Sequence, residues 1–136
     1  MIWYLPLEHL DSRYTIALDS LLREEFRRQK KPFRPIAGES LTGQIRVGAF
    51  LDANSTNHFK FTQMRHVCTL FHKSLVEDGD TFFASDLWFP GLEAIPYMAY
   101  FNRVKVKVAG ILHAGSFTDS DFVANMAPWA SHIERG

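Results

Sequence analysis

Four short strings hold the side chains best suited to chemistry: Pro6-Leu7-Glu8-His9, Asp52-Ala53-Asn54, Asp86-Leu87-Trp88-Phe89-Pro90-Gly91 and His113-Ala114-Gly115-Ser116. Each follows an apolar run that reads as a strand. In an open parallel sheet the ligand crevice lies beyond the carboxyl ends of the strands, because connecting loops and helix N-termini converge there. The carboxylates of Glu8, Asp52 and Asp86 and the imidazole of His113 are therefore expected on one rim. His113 precedes Ala114-Gly115, small residues that let a ligand approach the backbone closely. Its imidazole can accept a proton, donate a hydrogen bond to a sugar or phosphate, or be satisfied by a neighbouring carbonyl. Asp86 either orients a hydroxyl-bearing ligand or accepts backbone N–H groups in the turn before Pro90. Trp88 and Phe89 offer a flat apolar face for a sugar or base, or else simple packing.

Other chemistries lack their signatures. The glycine-rich dinucleotide fingerprint is missing after the first strand, as are the P-loop and the Gly-x-Ser-x-Gly elbow, so no nucleotide cofactor or serine nucleophile is expected. His66 and His72 stand six apart on one predicted helix and fall on different faces. No cofactor and no side-chain metal site is expected. Fifteen Lys and Arg balance fifteen Asp and Glu, so no global field draws the chain to nucleic acid. The basic string Arg27-Arg28-Gln29-Lys30-Lys31 reads as a solvated helix end. Apolar stretches are too short for a membrane span and the first residues lack a basic leader, so no membrane contact and a cytoplasmic location are expected. The single cysteine, Cys68, cannot form an internal disulfide and fits a reducing compartment.

The elements that must position the rim follow from periodicity. Ile2 to Leu5 reads as a buried strand ended by Pro6. Ala17, Leu18, Leu21, Leu22 and Phe26 recur at helical spacing, which predicts an amphipathic helix over Tyr14 to Lys30 that closes before Pro32. Phe33 to Ile36 and Ile45 to Leu51 follow as strands, and Asp52 to Asn57 as a polar turn. Met64, Val67, Leu70, Phe71 and Leu75 then predict a helix over Phe59 to Val76. Thr81 to Ala84 is a compact strand. A third helix is expected over Gly91 to Phe101 with Pro96 as a kink or early stop. Val104 to Leu112 reads as a further strand, buried from Val106 onward. A last helix through Phe122, Val123, Met126, Trp129 and Ile133 is capped by Asp119 or Asp121. At 136 residues and 46% hydrophobic content this is one domain. Strands alternating with helices make it α/β, a single Rossmann-like parallel sheet with helices on its faces.

Several strings together resemble the N-terminal domain of bacteriophage and bacterial glycosyltransferases built from two Rossmann lobes, the GT-B type. They are Pro6-Leu7-Glu8 with Arg13-Tyr14-Thr15, Gly48-Ala49-Phe50-Leu51-Asp52-Ala53 leading to Phe59-Lys60-Phe61-Thr62-Gln63, Asp86 through Glu93, Gly110-Ile111-Leu112-His113-Ala114-Gly115, Asp121-Phe122 and Trp129-Ala130. The resemblance implies a lobe that holds the acceptor, a sugar or other hydroxylated molecule or base. A C-terminal lobe would hold the nucleotide-sugar. His113 would polarise or deprotonate the acceptor hydroxyl, with Glu8, Asp52, Asp86, Trp88 and Gly115 lining the cleft; for a phage protein the compartment would be the host cytoplasm. The donor lobe has no counterpart in these residues, so the expectation is either a fragment of a larger enzyme or a single-lobed module that binds a nucleotide, sugar or partner protein. With its partner lobe absent, the chain is expected to dimerise or to expose an apolar patch around Trp88 and Phe89.

Overall fold

The computed structural model describes residues 1–9, 14–41 and 53–113. These form four strands and three helices: β1 (Ile2–Leu5), α1 (Thr15–Arg28), β2 (Phe33–Pro35), α2 (Ala53–His72), β3 (Thr81–Ala84), α3 (Ala94–Asn102) and β4 (Lys107–Gly110). The strands make one sheet in the order β2-β1-β3-β4, every neighbouring pair parallel. The architecture is thus the Rossmann-like α/β lobe that the alternation of elements implies.

The two central strands, β1 and β3, need cover on both faces, which is why their sequences are almost wholly apolar. Trp3 and Leu5 of β1 and Phe82 and Ala84 of β3 point to one face. They pack there with Met64, Val67 and Phe71 of α2 and Ile95 and Ala99 of α3. Tyr4 and Phe83 point to the other, where Phe26 of α1 meets both rings edge-on at 5.5 Å. At the amino ends of β1 and β3, buried Asp80 accepts hydrogen bonds from Trp3 Nε1 (2.8 Å) and Glu77 N–H (3.0 Å) and pairs with the Met1 ammonium (3.1 Å). Burial opposes its charge, but these donors outweigh it and hold the carboxyl below its ordinary value.

Four expectations change. α2 begins at Ala53, so Asn54 to Asn57 form its first turns and not a loop; turn-forming side chains are tolerated where helix N–H groups have no intrahelical partner. It also ends at His72 and not at Val76. Pro96 neither kinks nor stops α3, because it is the third helical residue, where a missing N–H costs nothing. The strand expected over Val104 to Leu112 is only Lys107 to Gly110, and Lys107, Val108 and Ala109 are exposed, since no strand among the described residues pairs with its outer edge. The strand at Ile45 to Leu51 and the final helix lie outside the described residues. Among those residues no helix is long and apolar enough to cross a membrane.

All three helices close alike. A bond of 2.9 to 3.1 Å joins Lys31 N to Phe26 O, Leu75 N to Leu70 O and Val104 N to Ala99 O. This closure forces a left-handed residue just past each helix, and here those residues are Lys30, Ser74 and Arg103, with φ of 52°, 54° and 57°. Glycine adopts that conformation without a Cβ penalty. Lys30→Gly and Ser74→Gly should therefore each raise the unfolding free energy by about 1 kcal/mol. Urea titration checks this, and a lower midpoint for either variant would contradict the assignment of these caps.

Candidate functional site

The chain leaves β1 over one face through α1 to β2 on one side, and leaves β3 over the opposite face through α3 to β4 on the other. These connections diverge at the carboxyl ends of β1 and β3, the place in an open parallel sheet where a crevice forms. The exits are pinned together there. Ser85 N–H donates to Leu5 O at 3.0 Å, Ile111 N–H to Ala84 O at 3.2 Å and Leu87 N–H to Ile111 O at 2.9 Å. Gly110 makes this possible, since a Cβ there would stand 2.5 Å from Ala84 O and 2.8 Å from the Leu87 side chain. Glu8, Asp86 and His113 thus leave the same edge of the sheet from adjacent strands. Asp52 and Gly115 lie outside the described residues.

On the α1 face a chain of polar contacts runs along this edge. His113 Nε2 lies 2.8 Å from Ser85 O; a carbonyl only accepts, so Nε2 carries the proton and Nδ1 is the basic nitrogen. The Tyr14 ring flanks the imidazole at 5.6 Å. The Ser85 hydroxyl donates to the Tyr4 hydroxyl at 3.0 Å, and the Asp19 charge acts on the same hydroxyl. The buried Asp19 carboxylate accepts Arg23 Nε at 2.9 Å on each oxygen and His9 Nε2 at 3.1 Å. His9 is therefore also protonated on Nε2 by geometry, and it is half-exposed at the rim. Burial, with the nearby Asp19 charge, pushes the Tyr4 hydroxyl up to about 12, against the lowering effect of Ser85 and Arg23.

On the α2 face a second network fixes the β3–α3 loop. Lys60, buried, donates to Trp88 O and pairs with Asp86 Oδ2 at 3.3 Å, its ammonium 5.6 Å from the centre of the Phe89 ring. Burial lowers the lysine, and the Asp86 charge partly restores it. Asp86 Oδ1 accepts Trp88 N–H at 3.0 Å, the turn-forming role open to it from sequence. A ligand hydroxyl meeting Asp86 would compete with these bonds. Gln63, wholly buried, donates its amide to Pro6 O (2.8 Å) and Ile36 O (2.9 Å) and so ties the exits of β1 and β2. Its Oε1 finds no partner among the described residues. Phe89 is core, and Trp88 is half-buried, so the exposed apolar patch expected around this pair is not there.

The sequence reading gives no role to Asp19, Arg23, Lys60 or Gln63, and none to His9 although it stands in the first rim string. A signal existed for two of them. Lys60 and Gln63 share the helical period of Met64, Val67 and Phe71 on the buried face of α2; a charge or amide on such a stripe marks a built polar contact. Comparison of the chain with protein-family models, with curated proteins and with solved structures finds no match in any of the three.

The Tyr4 hydroxyl gives a pH test. Its folded value near 12 lies above the ordinary 10.0, so its contribution to stability is complete below pH 10 and falls as pH rises toward 12. Of the four tyrosines, Tyr4 should yield its phenolate last in an absorbance titration of the native protein. Tyr4→Phe should remove that step and cost about 1–3 kcal/mol at neutral pH, since the buried Ser85 hydroxyl loses its acceptor. A titration with no late step would contradict the network.

Proposed function

We propose that this chain is the acceptor-binding lobe of a nucleotide-sugar-dependent glycosyltransferase, holding a hydroxyl-bearing acceptor in the crevice at the carboxyl ends of β1 and β3. The observation that supports this reading is the pair of imidazoles at the rim, each fixed through Nε2 by an acceptor of the protein and each keeping Nδ1 as its base. The resemblance of the strings around Glu8, Asp86 and His113 to those glycosyltransferases adds to it.

In a direct displacement the acceptor hydroxyl hydrogen-bonds to an Nδ1, and its oxygen attacks the anomeric carbon. The new carbon–oxygen bond forms as the bond to the nucleoside diphosphate breaks; the electron pair leaves with the diphosphate and the hydroxyl proton passes to Nδ1. The Asp19 carboxylate fixes the His9 ring and Ser85 O fixes the His113 ring, so each imidazole holds its Nδ1 in place to orient the hydroxyl and receive its proton. Glu8 and Trp88 bound the acceptor on either side of the β1 and β3 exits.

On this reading the donor site belongs to another lobe. Calorimetry with a panel of saccharides and nucleosides should show saturable binding of a hydroxylated acceptor. His9→Ala and His113→Ala should each weaken it by about tenfold, the loss of one hydrogen bond to a polar group, while His72→Ala leaves it unchanged. Where donor chemistry is supplied, loss of the base should lower turnover by about two to four powers of ten. Tight binding of a nucleotide-sugar with no acceptor binding, or sustained nucleoside diphosphate release by this chain alone, would overturn the assignment.

A further inference from the structure

α3 turns Ile95 and Ala99 into the core and packs Ala94 and Met98 against its rim. Its opposite face carries Tyr97, Tyr100 and Phe101, exposed to 65%, 78% and 66%. The rings touch one another and, among the described residues, are not part of the core: Tyr97 and Phe101 centroids are 4.9 Å apart, Tyr100 and Phe101 5.4 Å and perpendicular. Spacings of three and four residues place all three on one stripe. Three aromatics on one short helix leave on the order of 400 Å² of contiguous ring surface in water, the size at which a patch marks a binding face.

The charges around this stripe name its occupant. From Ala94 to Asn102 the helix carries none; Glu93 precedes it and Arg103 follows it, and both are exposed. A second copy of the helix laid antiparallel across a two-fold axis between Tyr97 and Tyr100 brings each Glu93 to the end where the other copy has Arg103. The surface is thus complementary to itself in shape and in sign, as an isologous contact requires. We propose that the chain forms a symmetric homodimer through α3, with the aromatic stripes stacked at its centre and two Glu93–Arg103 pairs at its ends.

The dimer does not rest on the reading of the crevice. Because the helices run antiparallel, the carboxyl edges of the two sheets open at opposite ends, and neither rim is covered. The two stripes together bury about 800 Å² or a little more, less than a permanent interface needs, so the dimer is a weak one that dissociates on dilution.

Sedimentation equilibrium over a broad concentration range tests this. The expected result is a reversible shift from monomer to twice the monomer mass, abolished by Tyr100→Glu in a protein whose melting is unchanged. Glu93→Arg alone and Arg103→Glu alone should each weaken the dimer by about tenfold, since each sets like charges together at both ends, and the double variant should recover it. A chain that stays monomeric throughout overturns the proposal. So does a dimer indifferent to Tyr100→Glu, or one that the double swap fails to restore after the single swaps weaken it.

Discussion

The buried carboxylate of Asp19 is the interaction on which the rim depends. A carboxylate placed under a sheet without partners costs several kcal/mol, a large part of the roughly 5–15 kcal/mol that holds a domain together. Here the donors come from two parts of the chain, His9 after β1 and Arg23 one turn further along α1, and the charge they hold also acts on the Tyr4 hydroxyl of β1. The seating of α1 on the sheet, the protonation of Tyr4 and the orientation of the His9 ring are therefore one event. Arg23 adds a second tie, its guanidinium lying 5.7 Å from the centre of the Tyr4 ring.

The opposite face solves the same problem with the sign reversed. Lys60 is the buried charge there, and Asp86 and Trp88 O are its partners, so the loop after β3 is drawn down onto α2. Gln63, one turn along the same helix, holds the exits of β1 and β2. Between them the two faces clamp the carboxyl ends of β2, β1 and β3, while His9 and His113 stay accessible. Fixed supports beneath exposed imidazoles are the arrangement a positioned acid or base needs.

Elements whose identity rests on local pattern are legible in the sequence. Ile2 to Leu5 and Thr81 to Ala84 are strands because a parallel sheet buries both faces and leaves no alternation, and their exits followed from that. Where a residue's role depends on partners far along the chain, the pattern misleads. Asp19 has the spacing of the polar side of a helix whose apolar side holds Ala17 and Leu21, yet Asp19 is buried and those two are exposed; one of its donors, His9, lies ten residues earlier and outside the helix. The first turns of α2 read as a loop because Asn54, Ser55, Thr56 and Asn57 favour turns in isolation. The exposure of β4 comes from its place at the edge of the described sheet, which no local run of valines reveals.

The central claim is that the rim holds two imidazoles with the proton on Nε2 and the base on Nδ1. Nitrogen-15 chemical shifts and two-bond couplings of histidine-labelled protein, with His9→Gln and His113→Gln as assignment controls, read the tautomer of each ring directly. The account predicts that neutral His9 and His113 are both Nε2–H tautomers, that Asp19→Asn disturbs His9 but not His113, and that a bound acceptor hydroxyl moves the Nδ1 signals alone. An Nδ1–H tautomer at either ring, or an acceptor whose binding leaves both Nδ1 signals in place, would contradict it.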